Sequence, residues 1–155
     1  MRVVIAFLAL AFAGASAGDT PGRVQGDPRV ACEGAKPHEL CFAKPTDGIA
    51  RAEYLSEPFY AVILKTAARC TIPEKERAEA QALFPAHKVF SMRFYCDENV
   101  EEAISYTNVN DQFAFLAVHA GASKADGNKM LKAVRTTGRF PGANVRKMRA
   151  KLIFP

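Results

Sequence analysis

The chain has 155 residues, with 21 Lys and Arg against 16 Asp and Glu, for a formal net charge of +5. That length fits one domain with a buried core. The modest excess of base suits a weakly anionic surface or polymer and falls short of the dense basic footprint expected of a nucleic-acid binder.

Arg2 precedes an unbroken apolar run over residues 3–13, and Gly14-Ala15-Ser16-Ala17 then offers the small residues of a signal-peptidase site. Such a run, about 11 residues, is too short to span a bilayer, which takes about 20. Residues 1–17 therefore read as a cleaved secretion signal. A lipoprotein would place Cys after the cut, where Gly18-Asp19-Thr20 stand instead. With no other stretch apolar enough to span, the mature chain is expected in the periplasm without stable membrane insertion. Its four cysteines, Cys32, Cys41, Cys70 and Cys96, read as two disulfides in an exported chain. Sequence leaves three pairings open. Cys32–Cys41 and Cys70–Cys96 are favoured, because the first closes a short loop and the second follows two strand-like runs at comparable places.

Residues 18–57 carry Pro21, Gly22, Gly26, Pro28, Gly34, Pro37, Pro45 and Gly48, a density of breakers that predicts an irregular extension. The stretch 58–155 is the expected α+β domain. Residues 59–67 read as a central strand. Thr71-Ile72-Pro73-Glu74 offers a helix start with a capping box, and the helix is expected to run to Leu83 with Ala78, Ala82 and Leu83 inward. Residues 88–96 alternate, with Phe90, Met92 and Phe94 buried and Ser91, Arg93 and Tyr95 outward. The acidic stretch 97–110 is a long connection holding either a short helix near 100–104 or a strand near 104–109.

Residues 113–120 form the third strand. Ala114, Leu116, Val118 and Ala120 point one way; Phe113, Phe115, Ala117 and His119 point the other. Ser123 and Asp126 cap a second helix with Met130, Leu131 and Val134 inward. Gly127 is expected to fray its first turns, at a cost of about 1 kcal/mol against Ala. Gly138 ends it. The last strand, 143–155, sets Met148, Ala150, Leu152 and Phe154 inward against Lys147, Arg149 and Lys151 outward.

Strand, helix and strand thus occur twice. The order β-α-β-β-α-β predicts a ferredoxin-like fold, a four-stranded antiparallel sheet with two helices on one face. Its open face would carry Lys65, Ser91, Arg93, Tyr95, Phe113, Phe115, His119, Lys147, Arg149 and Lys151, where aromatic rings can stack on a ligand and cations donate to its oxygens. Of these, Lys65, Arg93, Tyr95, Phe115, His119, Lys147 and Arg149 are the expected ligand contacts.

Val118-His119-Ala120-Gly121, the Ser123-Lys124-Ala125-Asp126 helix start and the run Gly138-Arg139-Phe140-Pro141-Gly142-Ala143-Asn144-Val145 resemble the SPOR (sporulation-related repeat) domain. The resemblance covers residues 59–155. It implies a non-enzymatic module of the bacterial envelope that binds peptidoglycan glycan strands through the open sheet face, with no cofactor and no catalytic residues. The competing reading is an envelope module that pairs with another protein, or a small disulfide-held inhibitor. An enzyme is disfavoured because His38, His87 and His119 lie on separate elements, and no nucleophile elbow, zinc helix or phosphate loop occurs. A redox role for Cys70 and Cys96 lacks Cys-x-x-Cys spacing.

Overall fold

A computed structural model describes residues 22–42, 53–93, 96 and 103–153. The secretion signal expected over 1–17, and Phe94, Tyr95 and Phe154, lie outside the described residues. In chain order the elements are β1 (Val24–Gln25), β2 (Cys41–Phe42), β3 (Glu53–Leu55), β4 (Phe59–Ala68), α1 (Glu74–Leu83), β5 (Val89–Ser91), β6 (Ala103–Tyr106), β7 (Phe113–Gly121), α2 (Lys124–Thr136), β8 (Asn144–Met148) and β9 (Ala150–Ile153). The described residues are α+β, with two helices and antiparallel sheets.

The four-stranded sheet has the order β5-β7-β4-β8, every neighbouring pair antiparallel. Both helices pack on one of its faces. There Val62, Leu64, Leu116 and Val118 meet Ala80 and Phe84 at α1 and Met130 and Val134 of α2. Sequence anticipated an open second face, and the structure corrects this. Phe59, Ala61, Ile63, Phe90, Phe115 and Ala117 on that side meet Tyr106, Met148, Ala150, Leu152 and Leu40 in a second core.

The cover is a three-stranded sheet, β3-β9-β6, together with the segment around β1 and β2. It arises because the expected single last strand divides at Arg149. Strand β8 stays beside β4, while β9 crosses to pair with β3 and β6. Buried Ser56 anchors the division: its Oγ accepts from the Ala150 N–H at 2.9 Å and donates to the Glu57 carbonyl at 2.8 Å. Met148, Ala150 and Leu152 are buried as their alternation predicts, but against the second sheet and not the helices. Phe90 and Met92 are buried on that side too, while Ser91, expected outward, is also buried.

The helices depart from expectation in instructive ways. The first begins at Pro73, with no side-chain cap. Thr71 bonds back to the Ala68 carbonyl instead, and Glu74 pairs with Arg77 at 2.6 Å. Arg77 and Ala80 form the buried stripe, while Ala78, Ala82 and Leu83 are exposed. Arg77 occupies the inner side because its guanidinium is partnered there by Glu74 and the Val89 carbonyl. The second helix has the expected Ser123–Asp126 capping box. Gly127 is buried in it, and a Cβ there would lie 2.9 Å from Val145 Cγ1 and 3.3 Å from Tyr60 Cβ. The glycine lets α2 approach the sheet, the opposite of a fraying defect. Gly138 takes a positive φ of 65° after the helix, as expected.

Both disulfides pair as favoured, Cys32 with Cys41 and Cys70 with Cys96. The first joins the segment containing β1 and β2. The acidic connection holds a strand, β6, at Ala103–Tyr106, while residues 97–102, where most of the alternative helix was expected, lie outside the described residues. No described helix is long and apolar enough to cross a membrane.

Candidate functional site

The covering sheet does not reach the far end of the β4–β7–β8 surface. A cleft of about 300 Å³ remains there, lined by Ile63, Thr66, Phe113, Phe115, Asn144 and Arg146 and walled by Asn108, Val109 and Asn110. The register explains the floor. Ile63 pairs with Asn144 and Ala61 with Arg146, and Thr66 pairs with Phe115, so all of these point away from the helices. The volume is at the lower end of the roughly 300–1,000 Å³ typical of small-molecule sites.

The chemistry of the lining is polar and aromatic. Phe113 is 49% exposed at the rim. Arg146 is the cleft's one charged side chain among the lining residues. Its Nε donates to Asn144 Oδ1 at 3.0 Å, which orients the guanidinium, and among the described residues neither Nη group has a hydrogen-bond partner. A guanidinium held this way can donate two parallel hydrogen bonds to a carboxylate or to neighbouring hydroxyls. Asn108, at a φ of 59°, donates Nδ2 to the Lys147 carbonyl at 2.8 Å, leaving its amide oxygen to accept. Asn110 organises the turn into β7: its Oδ1 accepts from the Gln112 N–H and its carbonyl from the Phe113 N–H. The cleft thus offers an apolar ring face, amide groups of both polarities and one positioned cation.

Of the residues expected on the open face, Phe113 and Phe115 line this cleft, and Phe115 is only 2% exposed. The others are dispersed. Lys65 lies on the helical side, its Nζ 2.8 Å from Glu76 of α1. A bulge after Ile63 puts Leu64 and Lys65 on the same side, which inverts the expected alternation. Arg93 donates to the Ile72 carbonyl, and Arg149 to the Ser56 carbonyl. Lys147 is exposed and pairs with Tyr60, again on the helical side. Tyr95 lies outside the described residues.

His119 is on the non-helical face, but the N-terminal segment covers it. Its ring lies 5.4 Å from that of Phe59, and a Cβ on Gly26 would fall 2.0 Å from its Nδ1. Burial, then the nearby His87, push its pKa down to about 4, while Asp126 acts to raise it. Among the described residues no group of three His, Cys, Asp or Glu side chains is placed to hold a metal ion.

Arg146, Asn144 and the Asn108–Asn110 turn were not singled out from sequence. Asn144 and Arg146 did carry a signal, being alternate residues on a strand. The turn did not, since nothing local shows that residues 108–110 sit beside β8. Family models, characterised proteins and solved structures gave no match to the chain.

Proposed function

We propose that the chain is an exported, non-enzymatic binding domain that holds a cell-wall glycan strand in the cleft beside Phe113 and Arg146. We further propose that its centre is a ferredoxin-like unit related to SPOR domains, enlarged by the second sheet. In support of the unit, β4, α1, β5, β7, α2 and β8 follow the order β-α-β-β-α-β, with β4 between β7 and β8. Two disulfides fit an oxidising compartment such as the periplasm.

The observation that carries the glycan reading is the pairing of a half-exposed ring, Phe113, with a guanidinium fixed by Asn144. Sugars present apolar ring faces and rows of hydroxyls, and cell-wall sugars add carboxylates. The ring matches the former by stacking, and Arg146 the latter by bidentate donation. The cleft's size suits one or two sugar units of a longer strand.

Co-sedimentation of the purified protein with peptidoglycan sacculi, before and after amidase treatment, tests this. The protein is expected in the pellet. Arg146→Gln should weaken binding about tenfold or more, as for loss of a charge-assisted hydrogen bond, and Phe113→Ala by up to about tenfold. No sedimentation in either arm, or binding indifferent to both substitutions, rejects the glycan site and leaves a protein partner as the reading.

A further inference from the structure

The two helices share one face of the sheet but differ in electrostatics. On α1 three acids stand against two bases, with Glu74 paired to Arg77 and Glu76 to Lys65 of β4. On α2, Lys124, Lys129, Lys132 and Arg135 are all exposed and form no ion pair among the described residues. At 100° per residue they occupy about 140° of arc, centred opposite the buried Gly127, Met130 and Val134. The helix's one acid, Asp126, lies outside that arc and is bound in the capping box by Ser123. Arg139, just beyond the helix, and Lys147, on the same side of the sheet, are likewise exposed and form no ion pair among the described residues. Beside the cations a largely apolar groove of about 290 Å³ runs between α2 and the end of α1, with Leu83, Phe84, Pro85 and Met130 in its lining together with His87, Lys129 and the capping-box acid Asp126.

We propose that the solvent face of α2 is a docking surface for a lipid bilayer bearing anionic phosphate headgroups. Charge complementarity selects this occupant. Unpaired cations along one helix face meet a plane of negative charge simultaneously, and the exposed Leu83 and the groove beside it add apolar contact at the headgroup boundary. The glycan cleft lies on the other face of the sheet, so this inference does not depend on it.

The test is co-sedimentation of the folded, disulfide-bonded chain with vesicles of phosphatidylglycerol and phosphatidylcholine, and with phosphatidylcholine alone. Binding is expected for the mixed vesicles only, and 0.5 M salt should release it by screening. Each cation near an anionic surface is worth roughly fivefold in partition, so Lys129→Gln with Lys132→Gln should weaken binding by about 25-fold. Lys75→Gln, on the exposed side of α1, should change it less than twofold. Melting temperatures of the variants within a few degrees of the parent show that they fold. Equal binding to both vesicle types, no loss in the double variant, or binding to soluble inorganic polyphosphate with none to vesicles overturns the proposal.

Discussion

His119 shows how much one side chain's surroundings can set. The ring is held between Phe59 and the backbone at Gly26, with His87 and Asp126 as its titratable neighbours. Its folded pKa of about 4 is below the ordinary 6.5, so the folded chain resists taking up a proton that the unfolded chain accepts. Stability from this group is therefore complete above about pH 6.5, declines as pH falls towards 4, and changes no further below that. The loss should amount to about 3 kcal/mol. Urea midpoints at pH 7, 5 and 4 measure it, and His119→Leu should flatten most of the slope, with His38, also lowered by burial, leaving a remainder. An unchanged slope in the variant would place the acid sensitivity elsewhere. At this scale the sequence was uneven in what it revealed. The buried sides of β7 and α2 were legible because alternation and helical period are local. Gly127 was misread because its use depends on Val145 and Tyr60, which local sequence does not place beside it.

The division between β8 and β9 is the decisive event among the elements. The alternation of Met148, Ala150 and Leu152 is the same whether the strand continues or crosses to another sheet, which is why a single strand was expected. Ser56 marks the crossing. Its backbone N–H donates to the Ala150 carbonyl at 2.8 Å, and its hydroxyl receives the Ala150 N–H. The Arg149 N–H is taken by Thr107 Oγ1, so no amide is lost at the corner. Ser56→Ala would leave the buried Ala150 N–H without its acceptor. The expected cost is about 1–3 kcal/mol, read as a lowered denaturant midpoint, with sacculus binding unchanged at temperatures where the variant is folded. A cost within about 0.5 kcal/mol, typical of surface positions, would show that the hydroxyl does not hold the corner. The bulge near Leu64 is a comparable case: one extra residue moved Lys65 from the supposed ligand face to an ion pair with α1.

For the whole molecule the consequence is two surfaces on opposite faces of one sheet. A bare four-stranded sheet would have offered its full non-helical face. The second sheet spends most of that face on a second core containing Phe90, Phe115 and Tyr106, whose rings approach to 5.1–5.8 Å. The cleft is thereby confined to the uncovered end, where Arg146 rather than Lys147 faces it. This is also why the candidate residues read from sequence did not converge: their alternation was assigned to an open face before anything indicated what covers it. Separate surfaces make a sharp prediction. Arg146→Gln should lose sacculus binding while keeping its partition onto anionic vesicles, except for the small change due to one lost positive charge. Lys129→Gln with Lys132→Gln should do the reverse. If either variant loses both activities while remaining folded, the two surfaces are one site, and the division of labour across the sheet is wrong.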